Sequence, residues 1–329
     1  MSTTWQVFLA ILETFLMFAI GAWCCRIRIL TPPIIEKMSH MLIDIFMPML
    51  IFYSIYTRFD LSQIQQLWIA PLTGFLMMVF GAGLSYPLAK LLRTKDHDHI
   101  VTFRHFCAIN NYLFLPLVIL QNLWGDQYRP TLFLMNIGFT VAFWTIGVGL
   151  LAGNDMKRAV KNIFGINQIA VVLALIFALL KIPVPVFVAT TFQKLGDASI
   201  PLMLGMIGGN IYLTAHKIFR DVPDALIMSA VRLLIIPAIT ILLLKFVPLP
   251  YDVYVVAFVV SLMPVSVTSA LITTKYGGST EFAGQAIIFT TILSLVTIPL
   301  LMKFLEPPTP SPEADVPATI VQQETAASR

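Results

Sequence analysis

Residues 107–116 read CAINNYLFLP and residues 261–269 read SLMPVSVTS. Each sets a proline beside polar side chains inside an apolar run, and that combination decides the fold. A proline in a helix removes one N–H donor and frees a carbonyl one turn earlier, and a bilayer interior has no water to take its place. Asn110, Asn111, Ser266, Thr268 and Ser269 are the side chains available to satisfy such groups. Both stretches are therefore expected to be interrupted membrane helices.

The prolines also recur along the chain. Asp44-x-x-x-Pro48 returns as Asp197-x-x-x-Pro201 at an offset of 153 residues, Pro87 matches Pro237 at 150, and Pro116 matches Pro264 at 148. A near-constant offset that maps span n onto span n+5 points to two repeats of five spans, and an odd number of spans inverts the second repeat relative to the first. The competing explanation is that proline is simply commoner in membrane helices than in soluble ones.

Composition agrees with a membrane setting. Of 329 residues, 58% are hydrophobic and only 12% are charged, against about 25% charged in an average soluble domain. Soluble, collagen-like, disordered and disulfide-stapled classes are excluded, and the net charge of +4 follows from basic cytoplasmic loops without a nucleic-acid partner. The chain reads as an all-α polytopic membrane protein. Its ten transmembrane helices are expected at about 5–25, 35–57, 66–89, 100–123, 130–152, 163–181, 197–216, 224–246, 252–274 and 281–303. Residues 1–152 form the first repeat, 153–303 the second, and 304–329 a disordered tail rich in Pro, Ser, Thr and acidic residues. The first span has no basic segment before it and no small-residue cleavage site, so it reads as a retained helix rather than a signal peptide.

Of the 21 Lys and Arg residues, 14 fall on the side holding the loops after spans 1, 3, 5, 7 and 9, with Arg232 counted among them, and 7 on the other. The positive-inside rule then puts both termini outside the cytoplasm of a multi-pass protein of the cell (plasma or inner) membrane. Cys24, Cys25 and Cys107 show neither zinc-ligand nor redox spacing and read as buried thiols. The run Lys95-Asp-His-Asp-His99 reads as a solvated charged turn rather than a metal site. No catalytic motif is present, so no enzyme activity, cofactor or metal is expected.

Inverted repeats allow two halves to exchange conformations around one central site, and paired interrupted helices mark that site. The N-terminus of a half-helix carries roughly half a positive charge, which suits a carboxylate. Asn110 and Asn111 serve either as ligands or as interhelical hydrogen bonds. Adjacent residues diverge by about 100° on a helix, so one of the two suffices for a substrate. Three carboxylates, Glu13, Asp44 and Asp197, fall in or at the edge of spans, where each must pair, protonate or face a polar cavity. Asp44 and Asp197 are candidates for coupling a proton or cation. Asp197, following Gly196, reads alternatively as a helix cap.

Two further stretches carry a resemblance. Residues 195–209, LGDASIPLMLGMIGG, resemble the seventh-span motif of the auxin efflux carrier (AEC) family, and 263–266 (MPVS) through 275–278 (KYGG) resemble its ninth-span motif and following turn. The resemblance implies an NhaA-like fold, with spans 1, 2, 6 and 7 as a scaffold, spans 3–5 and 8–10 as a moving transport domain, and a crossover of broken helices 4 and 9. It implies small organic anions such as mono- or dicarboxylates or auxin-like acids as substrates, and is compatible with a homodimer. Carried over by position, the substrate-binding residues are Asn110, Asn111, Pro116, Pro264, Ser266 and Thr268. The chain departs from the family pattern at Phe114, where a glycine is usual, and at Asp44, where an aromatic or aliphatic residue is. Two other readings stay open, a sodium-coupled symporter of the bile-acid type and a non-transporting membrane sensor on a carrier fold.

Overall fold

Proline shapes these helices as much as hydropathy does. The computed structural model describes residues 3–58, 66–152, 165–214, 222–266 and 268–304. The expected tail beyond residue 304 and the short loop at 153–162 lie outside them. In chain order the helices are α1 (Thr3–Arg26), α2 (Pro32–Arg58), α3 (Gln66–Leu88), α4 (His97–Ala108), α5 (Phe114–Trp124) and α6 (Arg129–Leu151). They continue as α7 (Ile166–Leu179), α8 (Val186–Thr214), α9 (Val222–Leu244), α10 (Tyr251–Ser261), α11 (Thr268–Tyr276) and α12 (Thr280–Phe304). Among the described residues there is no β-strand, and one isolated antiparallel bridge joins Asn110 to Val265.

Among the described residues, five helices are long and apolar enough to cross a membrane: Pro32–Arg58, Trp68–Leu91, Arg129–Leu151, Val222–Leu244 and Thr280–Met302. By contrast α5 and α10 have 11 residues each. At 1.5 Å per residue either reaches only about half of a ~30 Å hydrocarbon layer. The exterior is that of a protein in lipid: Leu16 on α1, Ile169 on α7 and Val296 on α12 point outward, while Gln285, Thr290 and Ser294 line the inner face of α12. This inversion of the soluble pattern gives a multi-pass membrane protein.

Among the described residues, three helices contain a π-turn, at Leu42–Phe46 in α2, Phe143–Gly147 in α6 and Val231–Ile235 in α9. Two have a local cause. The proline at 48 cannot donate to the carbonyl of Asp44, nor that at 237 to Leu233, so each helix widens over the residue whose carbonyl has lost its donor. The third lacks a proline, and there His105 of α4 places Nδ1 2.8 Å from the carbonyl of Gly147.

α1 packs along α8, α2 against α7 and α8, and α3 against α6 and α4. Both α9 and α11 rest on α12. The α1–α8 contact is backbone to backbone: a Cβ at Gly21 would collide with the carbonyl of Gly205, and one at Gly208 with the backbone of Phe18. Small residues at such spacing let two helices approach where lipid offers no hydrophobic drive to bring them together. The turn between α11 and α12 uses positive φ at Gly277 (100°) and Gly278 (111°), which lets Ser279 N–H reach the carbonyl of Asp98.

Three local expectations change. Asp197 lies in the interior of α8, which begins at Val186, so it caps no helix. Arg232 belongs to no loop; it is 4% exposed inside α9. The HxH turn is not wholly solvated: His97 is exposed, but His99 is buried, stacked on Phe282 at 3.8 Å with Nε2 3.5 Å from Asp224. In each case neighbouring helices supply partners that local sequence does not show.

Candidate functional site

The two interruptions meet. The chain leaves α4 at Ala108 and resumes helix at Phe114, and it leaves α10 at Ser261 and resumes at Thr268. Between them Asn110 bridges Val265, and Asn111 N–H donates to the carbonyl of Pro264 at 2.8 Å. Asn110 Nδ2 donates to the carbonyl of Val260 at 2.5 Å. Val265 N–H donates to Thr290 Oγ1 at 3.3 Å, while Asn111 Oδ1 accepts from Leu115 N–H at 3.4 Å in the first turn of α5. The unwound backbone is thus held by itself, by both asparagines and by α12.

On one side of this junction the carboxyl ends of α4 and α10 converge. Helix carboxyl ends carry partial negative charge and free carbonyls. Arg232 answers both: Nε donates to the carbonyl of Met263 at 3.0 Å, and the two terminal nitrogens donate to those of Cys107 and Ser261, each at 3.3 Å. A buried guanidinium is tolerated where its donors are taken up in this way. Sequence reasoning missed this residue because it was assigned to a loop. Its position inside an apolar run was the available signal.

On the other side lies a cavity of about 260 Å³ whose lining includes Asp44, Asn111, Asn136, Thr140, Gln168 and Ser266. The π-turns of α2 and α6 both contribute, through Ile43 and Asp44 and through Phe143 and Trp144. Residues 112–114, which lead into and begin α5, form part of the wall, so the positive end of that half-helix borders the space. Gln168 at the start of α7 donates from Nε2 to Thr140 Oγ1 at 3.1 Å and accepts from Gly165 N–H at 3.2 Å. Asn136, Thr140, Asn167 and Gln168 are lining residues that the proline pattern had not singled out.

The candidate residues therefore separate. Asn111, Ser266 and Asp44 share the cavity. Asn110 instead faces a small hollow with Arg232 and Ser261, as the divergence of adjacent residues requires. Pro264 is buried in the break and Pro116 in the first turn of α5, where a missing N–H is harmless; neither borders the cavity. Thr268 opens α11, and its side chain lies outside the described residues. Asp197 is not among the cavity's lining residues and is paired through Oδ1 with Arg129 at 3.1 Å. Arg129 also lies 3.0 Å from Asp126. Glu13 accepts from Asn122 Nδ2 at 3.1 Å. Among the described residues no cluster of His, Cys, Asp and Glu could hold a metal. Cys25 and Cys107 are buried, whereas Cys24 is half-buried.

Comparison with known proteins agrees with this architecture. A family described as membrane transport protein matches residues 6–169 and 156–302. An uncharacterized transporter of Methanothermobacter thermautotrophicus is 26% identical over 271 residues, covering 80% of this chain and 87% of the relative. One of Methanocaldococcus jannaschii is 24% identical over 273 residues, with the same coverage. The family and these relatives are transporters, not enzymes. The chain belongs to the membrane transport protein family, that of the auxin efflux carriers.

Proposed function

We propose that this protein is a secondary carrier that moves small organic anions, such as mono- or dicarboxylates or auxin-like acids, across the cell membrane by alternating access. The observation that carries this reading is the meeting of two interrupted helices, at Asn110–Val265 and Asn111–Pro264, beside a cavity with several polar side chains in its wall and the N-terminal end of α5 at its border. Interrupted helices at a central cavity are how carriers present backbone dipoles to a solute. Asn111 and Ser266 are the side chains best placed to contact it.

On this reading α4 with α5, and α10 with α11, are the fourth and ninth of ten spans in two inverted repeats, 1–152 and 153–303. Helices α1, α2, α7 and α8 are the scaffold. Packing of α1 on α8 and of α2 on α7 and α8, and of α3 with α4 and α6, supports the division. Both chain ends then lie outside the cytoplasm, the lipid bilayer and the anion are the partners, and a homodimer through the scaffold is compatible with the exposed apolar face of α1.

The test is transport by the purified protein in liposomes. Labelled monocarboxylates, dicarboxylates, indole-3-acetate and a bile acid are offered with and without sodium and a pH gradient. Saturable uptake of a carboxylate, reduced in Pro264→Ala, is the expected result. Binding without translocation overturns the carrier reading in favour of a sensor, and strictly sodium-dependent bile-acid uptake replaces it with a symporter.

A further inference from the structure

The cavity holds more hydrogen-bond acceptors than a simple anion can use. Asp44 is the only formally charged side chain among its described lining residues, and it is negative. Neither lysine nor arginine is among them. Asn136, 5% exposed and part of the same wall, has an Oδ1 without a hydrogen-bond partner among the described residues. The Oδ1 of Asn167, also in the wall, is in the same condition. Unused buried acceptors are costly, and a carboxylate beside an anionic solute repels it. The imidazole of His40 stands 3.7 Å from Asp44 with the two side chains 73% and 57% exposed. So exposed and long a contact leaves the carboxylate able to take another partner.

One ligand feature answers both problems, a cationic group with several N–H donors. We infer that the solute is amphoteric, a small carboxylic acid that also bears a protonated amine, with its carboxylate at the N-terminal end of α5 and its ammonium toward Asp44 and the Oδ1 of Asn136. This rests on the carboxylate reading of the same cavity and narrows it. The three donors of an ammonium match the carboxylate and the two amide oxygens. A free metal cation fits less well, because it needs a close cage of oxygens, whereas this space is molecule-sized at about 260 Å³.

The experiment compares matched pairs that differ only in the amine: alanine with propionate, leucine with 4-methylpentanoate, and aspartate with succinate. Uptake into liposomes is measured for the full chain and for Asp44→Asn and Asp44→Glu, with thermal melting to establish that each variant is folded. At least one amino acid is expected to exceed its deaminated partner by about tenfold or more in kcat/KM, as for a site whose acceptors would otherwise go unpaired. Asp44→Asn is expected to abolish that preference, and Asp44→Glu to restore part of it. Uptake of the deaminated acids alone overturns the inference and leaves the carrier reading intact. Sodium-dependent uptake of a deaminated acid that Asp44→Asn abolishes also overturns it, giving Asp44 to a coupling ion. No uptake of any carboxylate overturns both.

Discussion

Arg232 Nε donates to the carbonyl of Met263 at 3.0 Å, and through that bond a side chain of one continuous helix holds the loose end of a broken one. The same guanidinium reaches Cys107 and Ser261, so the two interruptions share one cation. Removing it leaves three buried carbonyls short of donors. Arg232→Met is expected to lower stability by about 2–4 kcal/mol, with Arg232→Lys recovering part of the loss as a point charge. Thermal melting in detergent measures this, and a Met variant that melts with the parent would remove Arg232 from the role.

The two prolines of the interruptions are expected to behave unequally. Pro116 occupies the first turn of α5, where no intrahelical donor is required, so Pro116→Ala should transport at close to the parental rate. Pro264 stands in the unwound segment, and Ala there permits helix to extend from α10 toward α11. Pro264→Ala should transport at least about tenfold more slowly, a barrier increase of about 1.4 kcal/mol. Equal uptake rates in liposomes for the two variants would contradict the geometry.

Arg129 is 2% exposed and its guanidinium is shared between Asp126 and Asp197. Because the Asp197 side chain is 42% exposed, solvent screens part of the attraction. Asp197→Asn is expected to cost about 1–2 kcal/mol rather than the larger penalty of a fully buried pair. A double-mutant cycle with Arg129→Met reads the coupling from melting or denaturant titration. Strict additivity would show that the pair contributes nothing.

The contact of α1 with α8 offers a test of packing in which neighbouring glycines differ. Gly21→Ala places a methyl group against the backbone of Gly205 and should destabilise by about 1–3 kcal/mol. Gly205→Ala meets nothing within 4 Å and should stay within about 0.5 kcal/mol of the parent. Melting temperatures of the two variants separate the outcomes.

Much of the site could be located from proline positions, because a missing donor in a low-dielectric interior calls for another partner or a change of backbone. The interruptions at 109–113 and 262–266 follow from that rule, and so do the widened turns before Pro48 and Pro237, whereas Pro87, Pro201 and Pro299 lie inside continuous helices. The cavity wall was harder to read. Asn136, Thr140 and Asn167 sit in ordinary apolar runs, and nothing in their spacing separates a residue facing a cavity from one bonded to the next helix. Asp197 misled for the same reason, since its local context resembles a helix start while α8 begins 11 residues earlier, at Val186.

The amino-acid sequence by itself determined that this is a helical membrane protein, where its helices break, and which short motifs tie it to its family. Those properties depend on hydropathy and on single-residue covalent chemistry, which are local. Only the tertiary structure decided that Asn111 and Asp44 share a cavity while Asn110 turns to Arg232, and that Asp197 belongs to Arg129. Partnership between side chains far apart in the chain depends on how helices rotate and approach one another. That is set by the sum of many contacts, which no single stretch of sequence encodes.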